Sequence, residues 1–325
     1  MDFILSCPPV GGDRIGKINN AIEEWLSNPE LHRLVEVFGG KIPSKNKLDD
    51  YAKWFLEFSN CWDFRANQKQ AYDAKVGEGV RWMVKSENLT ELQKNAALKA
   101  ASSLGLRGIE SPAFNSYDYI WVLGGARMSC LLRTRKALKT VNQMESAPKS
   151  LIMLASMRPI GDSEREATNT YAPKAETEFD LFVAAFEKEQ SCCTSTEERY
   201  DDTNNPNSSW IVRKYPIEGS DAIIIAAPSS EPNVRRANSA DTYQFFFEQF
   251  KPKQGASILL VTSQIYVPYQ HMEAIRTIAI PYDIYLDTIG FPLEWNGTLQ
   301  GMNEPSNYLQ EIRSTIQSFG RFLNI

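Results

Sequence analysis

The sequence predicts an α/β protein: a doubly wound, mainly parallel sheet over residues 111–325, preceded by an all-helical region over residues 1–110. Three apolar runs carry the prediction: Tyr119-Ile-Trp-Val-Leu-Gly-Gly125, Ala222-Ile-Ile-Ile-Ala-Ala-Pro-Ser-Ser230 and Ile258-Leu-Leu-Val-Thr-Ser263. A strand covered on both faces is apolar almost throughout, whereas a strand with one wet face alternates, and the intervals between these runs can hold crossover helices. In open sheets of this kind the ligand crevice lies at the carboxyl ends of the strands, where Gly124, Ser229 and Thr262 fall.

The remaining elements follow in order. Up to Gly108 the signals are helical: Ile15, Ile18, Ile22, Trp25 and Leu26 recur at helical spacing, as do Tyr51, Trp54, Phe55 and Phe58, and then Val76, Val80, Met83 and Val84. Thr90 can cap a further helix that Gly105 stops. After the first strand come a helix over 133–144, a strand over 150–155 and a helix over 175–190. Residues 157–174 form a long polar insertion directly after a strand, the usual place of a lid or substrate loop. Residues 191–209, rich in Ser, Thr, Asp and Asn, read as a mobile surface loop. Trp210–Tyr215 reads as a short strand suited to an edge, followed by a helix over 240–250, a helix around 272–278, a last strand at 283–286 and a closing amphipathic helix over 307–322.

Composition bounds the function. The chain has 325 residues, 42% hydrophobic and 23% charged, which is ordinary for a soluble globular protein with one large domain or two unequal ones. A net charge of −5 argues against a general nucleic-acid partner. Met1–Val10 lacks a basic n-region and is interrupted by Pro8 and Pro9, so it is a poor signal peptide, and no run approaches the roughly 20 apolar residues of a membrane span. Five scattered cysteines without paired spacing fit a reduced, cytoplasmic chain; adjacent Cys192 and Cys193 are either a redox-sensitive spot or plain exposed thiols.

Chemical groups gather at the strand ends. Gly124 and Gly125 allow close backbone approach, and the helix after them offers free N–H groups to an anion, although neither a G-x-G-x-x-G nor a phosphate-loop motif is present. A tight packing turn would look the same. Arg127, Arg133 and Arg158, with Arg135, Arg165, Arg235 and Arg236, suit a phosphate, carboxylate or sugar-phosphate ligand if they face one crevice, and equally suit surface ion pairs. Glu176 and Asp241 stand where carboxylates act as acid and base, or where first-turn acids stabilise helices. Asn238 and Ser239 have the same double reading. Ser156, Ser229, Thr262, Ser263 and Tyr266 complete the candidate ligand site. His32 and His271 build neither a nucleophilic triad nor a zinc site.

Val122-Leu-Gly-Gly125 with Arg133, Glu176 in Lys-Ala-Glu-Thr, Asn238-Ser-Ala-Asp-Thr242 and Val261-Thr-Ser263 together resemble the YdcF-like family, to which SanA and ElyC belong, across roughly residues 118–290. The chain departs from that pattern at Ala155-Ser156, at Asp241-Thr242, and at Tyr266 and Tyr269, which replace the family His and Arg. The resemblance implies a Rossmann-like domain with a crevice for a small anionic or nucleotide-like ligand, S-adenosylmethionine being one association within that family. A non-catalytic sensor or protein-interaction module, lacking the family His and Arg, is the competing expectation.

Overall fold

A computed structural model describes residues 12–44, 47–64, 72–73, 78–79, 85–191, 194–297 and 303–325. The expected helical positions Val76, Val80, Met83 and Val84, the start Met1–Val10, and Cys192 and Cys193 lie outside the described residues. The chain is a mixed α/β structure with a seven-stranded, mostly parallel sheet.

The sheet is built around β3 (Tyr119–Leu123), flanked by β4 (Ser150–Ser156) and β8 (Ser257–Ser263). Beyond β4 lie β7 (Ser220–Ala227), β6 (Trp210–Ile217) and β5 (Glu197–Asp201), and beyond β8 lies β9 (Tyr285–Phe291). The chain runs outward from β3 through β4 to β7, then crosses back to β8 on the other side, so the strand order reverses between β3 and β8. Strands β7, β4, β3, β8 and β9 are mutually parallel, while β6 pairs antiparallel with both β7 and β5. Ile120, Trp121 and Val122 are fully buried, as continuous apolar strands require.

Each sheet face has its own core. Helices α5 (Ser129–Val141) and α7 (Glu178–Glu189) pack on Ile120, Val122, Leu151 and Met153. The opposite face carries α8 (Ser239–Phe250) and α9 (Val267–Ala274), with α1 (Arg14–Leu26), α2 (Pro29–Val37), α3 (Leu48–Phe58), α4 (Glu91–Ser103) and α10 (Pro305–Leu323) in the same apolar cluster. Trp121 centres that face, with ring centroids 4.6 Å from Phe246 and 5.3 Å from Tyr243. Alanines at 96, 97, 100 and 101 make one side of α4 thin enough for close packing. Trp25 stands edge-on to Phe319 of α10 at 5.1 Å and donates its indole N–H to Leu104 O at 3.1 Å. Arg14 ties α1 to the sheet by donating to Asp283 Oδ1 at 2.7 Å and Ile284 O at 2.8 Å.

Several expectations change. The N-terminal part is not all helical, because β1 (Tyr72–Asp73) and β2 (Glu78–Gly79) form an antiparallel ladder. The 191–209 segment contains β5, whose five exposed residues carry no apolar pattern to betray a strand. Trp210 begins a longer strand that lies inside that edge, because Gly219, at φ +69°, closes a hairpin from Ile217 to Ser220. The last strand starts at Tyr285, after Asp283 at φ 52°. The 157–174 insertion folds into α6 (Asp162–Thr168) and is pinned by a bridge between Pro159 and Thr177. Helix α7 starts at Glu178 because Thr177 and Asp180 form a capping box.

His271 on α9 is 1% exposed; its Nδ1 meets Thr288 Oγ1 at 2.8 Å and its Nε2 has no partner among the described residues. Burial lowers its pKa to about 3. The unfolded chain therefore takes up a proton below about pH 6.5 that the folded chain refuses, so stability falls as pH drops through that range, by about 2 kcal/mol between pH 7 and 5. Urea midpoints at the two pH values should show this loss in the unmodified protein and a smaller one in His271→Gln; equal losses would refute the assignment.

Candidate functional site

Strand β3 exits into Gly124-Gly125-Ala126-Arg127, and α5 begins two residues later. Arg133, in the second turn of α5 and 2% exposed, turns back over the strand ends. Its Nη1 donates to Leu123 O at 2.8 Å and also to Gly124 O, while Nε and Nη2 donate to Ser263 Oγ at 3.2 and 3.0 Å. The Tyr266 ring lies 5.8 Å from the guanidinium carbon. One cation thus bridges β3 and β8 at the point where strand order reverses. A Cβ at Gly125 would come within 2.7 Å of Ser129 Cβ and 3.1 Å of Arg133 Nη1, so this glycine makes room for the protein's own side chains.

A carboxylate fills the neighbouring gap between β3 and β4. As the first residue of α7, Glu178 accepts from Ser156 N at 3.0 Å and Ser156 Oγ at 2.9 Å. A Cβ at Gly124 would lie 2.8 Å from Glu178 Oε1. Arg158 Nη1 donates to Glu164 Oε1 at 3.0 Å, and its Nε lies 3.9 Å from Glu178 Oε1. Burial pushes the Glu164 carboxyl up, and the attraction of Arg158 does not fully offset it. For Arg158, burial opposes the charge, but Glu178 and Glu164 outweigh it and hold the guanidinium firmly protonated. Cys130 donates to Gly125 O at 3.1 Å, and burial together with the Glu178 charge pushes its thiol up, so it stays neutral.

A small hollow opens at the start of α5. Its polar lining is Arg127, Ser129 and Asn296, and its apolar walls include Leu132 and Phe291; it measures about 210 Å³ with its open mouth. No side chain caps the α5 N-terminus, and its first turn carries no acid. Ser129 N already donates to Ala126 O at 3.0 Å, and the positive end of the helix dipole lies at this point. Arg127 adopts φ 54°, the left-handed region that costs a side chain energy, and its carbonyl accepts from Tyr171 Oη at 2.9 Å. Burial weakens the hold of the Arg127 guanidinium on its proton, with Glu166 and Glu164 partly restoring it. Asn296, 4% exposed, has an amide oxygen without a partner among the described residues.

The predicted residues therefore divide into three groups. The first is the seam of buried charges, where Gly124, Gly125, Arg133, Ser263 and Tyr266 meet at the β3–β8 junction and Ser156 and Arg158 meet beside Glu178. Arg127 lies at the hollow. The third group stands at the β7–α8 connection: Asn238 caps α8, with Oδ1 accepting from Ala240 N at 2.9 Å and Asp241 N at 3.1 Å, and Ser239 is exposed. Asp241 completes that capping box by accepting from Asn238 N at 2.8 Å. Burial pushes the Asp241 carboxyl up, but hydrogen bonds from Arg235 and Ser230 prevail and hold it at about 2. Ser229 donates its N–H to Asn207 O at 2.7 Å, and the buried Thr262 hydroxyl donates to Gln270. Glu176 is exposed and paired with Arg165 at 2.9 Å; the buried carboxylate is Glu178, two residues later. The Thr177-x-x-Asp180 spacing is the signal that locates it. Asn296 carries no comparable signal.

A profile of the Rv3785 N-terminal domain matches residues 10–105. Protein Rv3785 of Mycobacterium tuberculosis and protein Mb3814 of Mycobacterium bovis are each 30% identical to the chain over 324 residues, covering 95% of this chain and 90% of theirs. Both are described as uncharacterized. No solved structure matches the chain. These similarities overturn the YdcF-like resemblance, and the expectation of S-adenosylmethionine, which rested on it, loses its support. The motifs that carried it mark a strand turning into a helix over buried charges, and packing alone demands that.

Glu164→Ala removes the closer of two carboxylates beside the buried Arg158 and leaves it with Glu178 at 3.9 Å, so it should cost about 3 kcal/mol, whereas Glu164→Met placed in an Arg158→Met background should cost much less. Urea denaturation of the three proteins decides the matter; additive losses would show that the two groups do not act as a pair. Gly124→Ala should cost about 1–3 kcal/mol in the same assay, since its methyl group would meet both Glu178 and the Leu154 carbonyl.

Proposed function

The chain belongs to the Rv3785 family, and we propose that it binds a small anionic ligand at the carboxyl end of its sheet, in the hollow at the start of α5. The observation that carries this reading is the start of α5, without a side-chain cap or an acid in its first turn, opening onto the same space as the left-handed Arg127. A helix N-terminus beside a guanidinium is a setting that favours an anion. The doubly wound order of strands, with helices on both faces, supports a Rossmann-like setting in which ligands lie beside the point of reversal. The cytoplasm is the compartment we propose, supported by a buried Cys130 whose thiol is neutral; no helix among the described residues is long and apolar enough to cross a membrane.

Binding without turnover is the form of this reading that the side chains favour. Among the described residues no carboxylate lines the hollow, Glu176 is engaged by Arg165 at the surface, and Asp241 is committed to the α8 cap. Arg133 and Glu178 occupy the space over the glycines where a reacting group would otherwise sit. A sensor or interaction module that responds to an anionic ligand fits these constraints.

Thermal melts of the full chain in millimolar phosphate, at ionic strength matched with chloride, should show a saturable rise in Tm that Arg127→Ala abolishes. A rise that keeps growing with concentration and persists in the variant would reflect salt exclusion from the surface, and would refute the site.

A further inference from the structure

We propose that Glu164 is a built-in stand-in for a carboxylate ligand of Arg158: the segment over residues 160–176 closes like a flap at the ends of β3 and β4 and holds its own carboxylate where a free one binds. This goes beyond the anion reading above and does not rest on it. The unfinished pairing of the two groups is the first argument. Arg158 and Glu164 are 7% and 0% exposed, yet one bond joins them, from Nη1 to Oε1 at 3.0 Å. Arg158 Nη2 and Glu164 Oε2 are both without a hydrogen-bond partner among the described residues. A guanidinium and an untethered carboxylate can meet through two parallel bonds, and a buried charged donor left without an acceptor is costly.

The tether of Glu164 accounts for the shortfall. Its Oε1 also accepts from Gly161 N at 3.2 Å, so one oxygen serves both the start of α6 and the guanidinium. A first-turn acid can serve its helix from the surface, and Asp162, Ser163 and Glu166 of α6 are exposed while Glu164 turns inward. What Arg158 lacks is an acceptor for Nη2, which a free carboxylate supplies. Charge chooses the class of ligand. Arg158 Nε lies 3.9 Å from Glu178 Oε1, so a monoanion replaces Glu164 charge for charge, whereas a phosphate dianion would set a second charge beside Glu178.

The attachment of the segment is the second argument. Its two ends pair with each other: Ile160 N donates to Glu176 O and Glu178 N to Arg158 O, both at 2.9 Å, on either side of the Pro159–Thr177 bridge. Within this neck the chain bonds to itself, from Ala172 N to Thr168 O at 2.8 Å and from Ala175 N to Ala172 O at 3.1 Å, and Arg165 Nη2 donates to Glu176 at 2.9 Å. A swing about the neck keeps all of these bonds. It gives up the Arg158–Glu164 pair, the bond from Tyr171 Oη to Arg127 O at 2.9 Å, and the packing of Tyr171, Ala172 and Ala175. Loops with joined ends and internal packing are the form in which lids are built. Opening presents Arg158 at the carboxyl end of β4, where open α/β sheets place their ligands.

Amide hydrogen exchange of the unmodified full chain in sodium acetate, against sodium chloride of equal ionic strength, tests the proposal. Saturating acetate should raise exchange of the 161–175 amides at least tenfold while the amides of β3 and β4 keep their protection. Unchanged exchange in the flap, or an equal rise across the sheet, would overturn it, and this measurement decides even where a variant does not fold. Isothermal titration supplies the second readout. Glu164→Gln keeps an acceptor for Gly161 N and removes the competing charge, so it should bind acetate at least tenfold more tightly than the unmodified protein, and acetamide should bind to neither. Equal acetate affinity in the two proteins would make Glu164 a structural partner of Arg158 and end the proposal. Phosphate bound by Glu164→Gln more tightly than acetate would overturn the carboxylate assignment.

Discussion

The Arg133 guanidinium is the interaction on which the carboxyl end of the sheet depends. Strands β3 and β8 belong to opposite halves of the winding, and their helices leave toward opposite faces of the sheet, so the two strand ends would otherwise part at the junction. By donating to two carbonyls at the end of β3 and to Ser263 of β8, Arg133 satisfies backbone acceptors that the end of a sheet leaves open and holds the halves together. The glycines follow from this arrangement, because only a residue without Cβ leaves space for the charged groups that descend onto β3. Glu178 repeats the pattern on the β4 side with opposite charge. The junction is therefore a packed electrostatic seam, and the open space is displaced from it to the edge of α5.

This displacement separates what was legible in the sequence from what was not. The parallel strands were legible because both-face burial writes itself as continuous apolar runs, as in Ile223-Ile-Ile225. The buried pair of strand-end arginines, Arg133 and Arg158, was legible as a cluster of cations but not as a set already engaged by Ser263, Glu164 and two carbonyls, since only the folded chain brings those partners to them. Glu176 and Glu178 differ by two residues and by complete reversal of environment, and the capping geometry of Thr177 separates them. Strand β5 left no trace because all its side chains face water and its alternation has nothing to contrast with. Asn296 lies in a short 3₁₀ turn with no period to reveal which of its groups turns inward.

The same logic accounts for the false resemblance. A strand ending in Gly-Gly before an Arg-bearing helix, and a capped acid opening a later helix, are solutions to packing that unrelated sheets reach independently. In this chain each has an internal purpose: Gly124 and Gly125 admit Glu178 and Arg133, and Asp241 caps α8. What separates a ligand site from such packing is an unmet requirement. The hollow beside α5 joins a helix start without a side-chain cap to access from solvent.

The closing helix α10 lies among the first helices of the chain: Phe319 meets Trp25, Gly320 accommodates Leu56, and Ser306 is hydrogen-bonded to Ser86 across 220 residues of sequence. During synthesis on the ribosome, α1 to α4 emerge with their apolar faces formed and wait for the whole sheet to be made before the element that covers them arrives. The N-terminal helices are thus the first part of the protein to be made and among the last to be covered, which gives the nascent chain a long interval of exposed apolar surface.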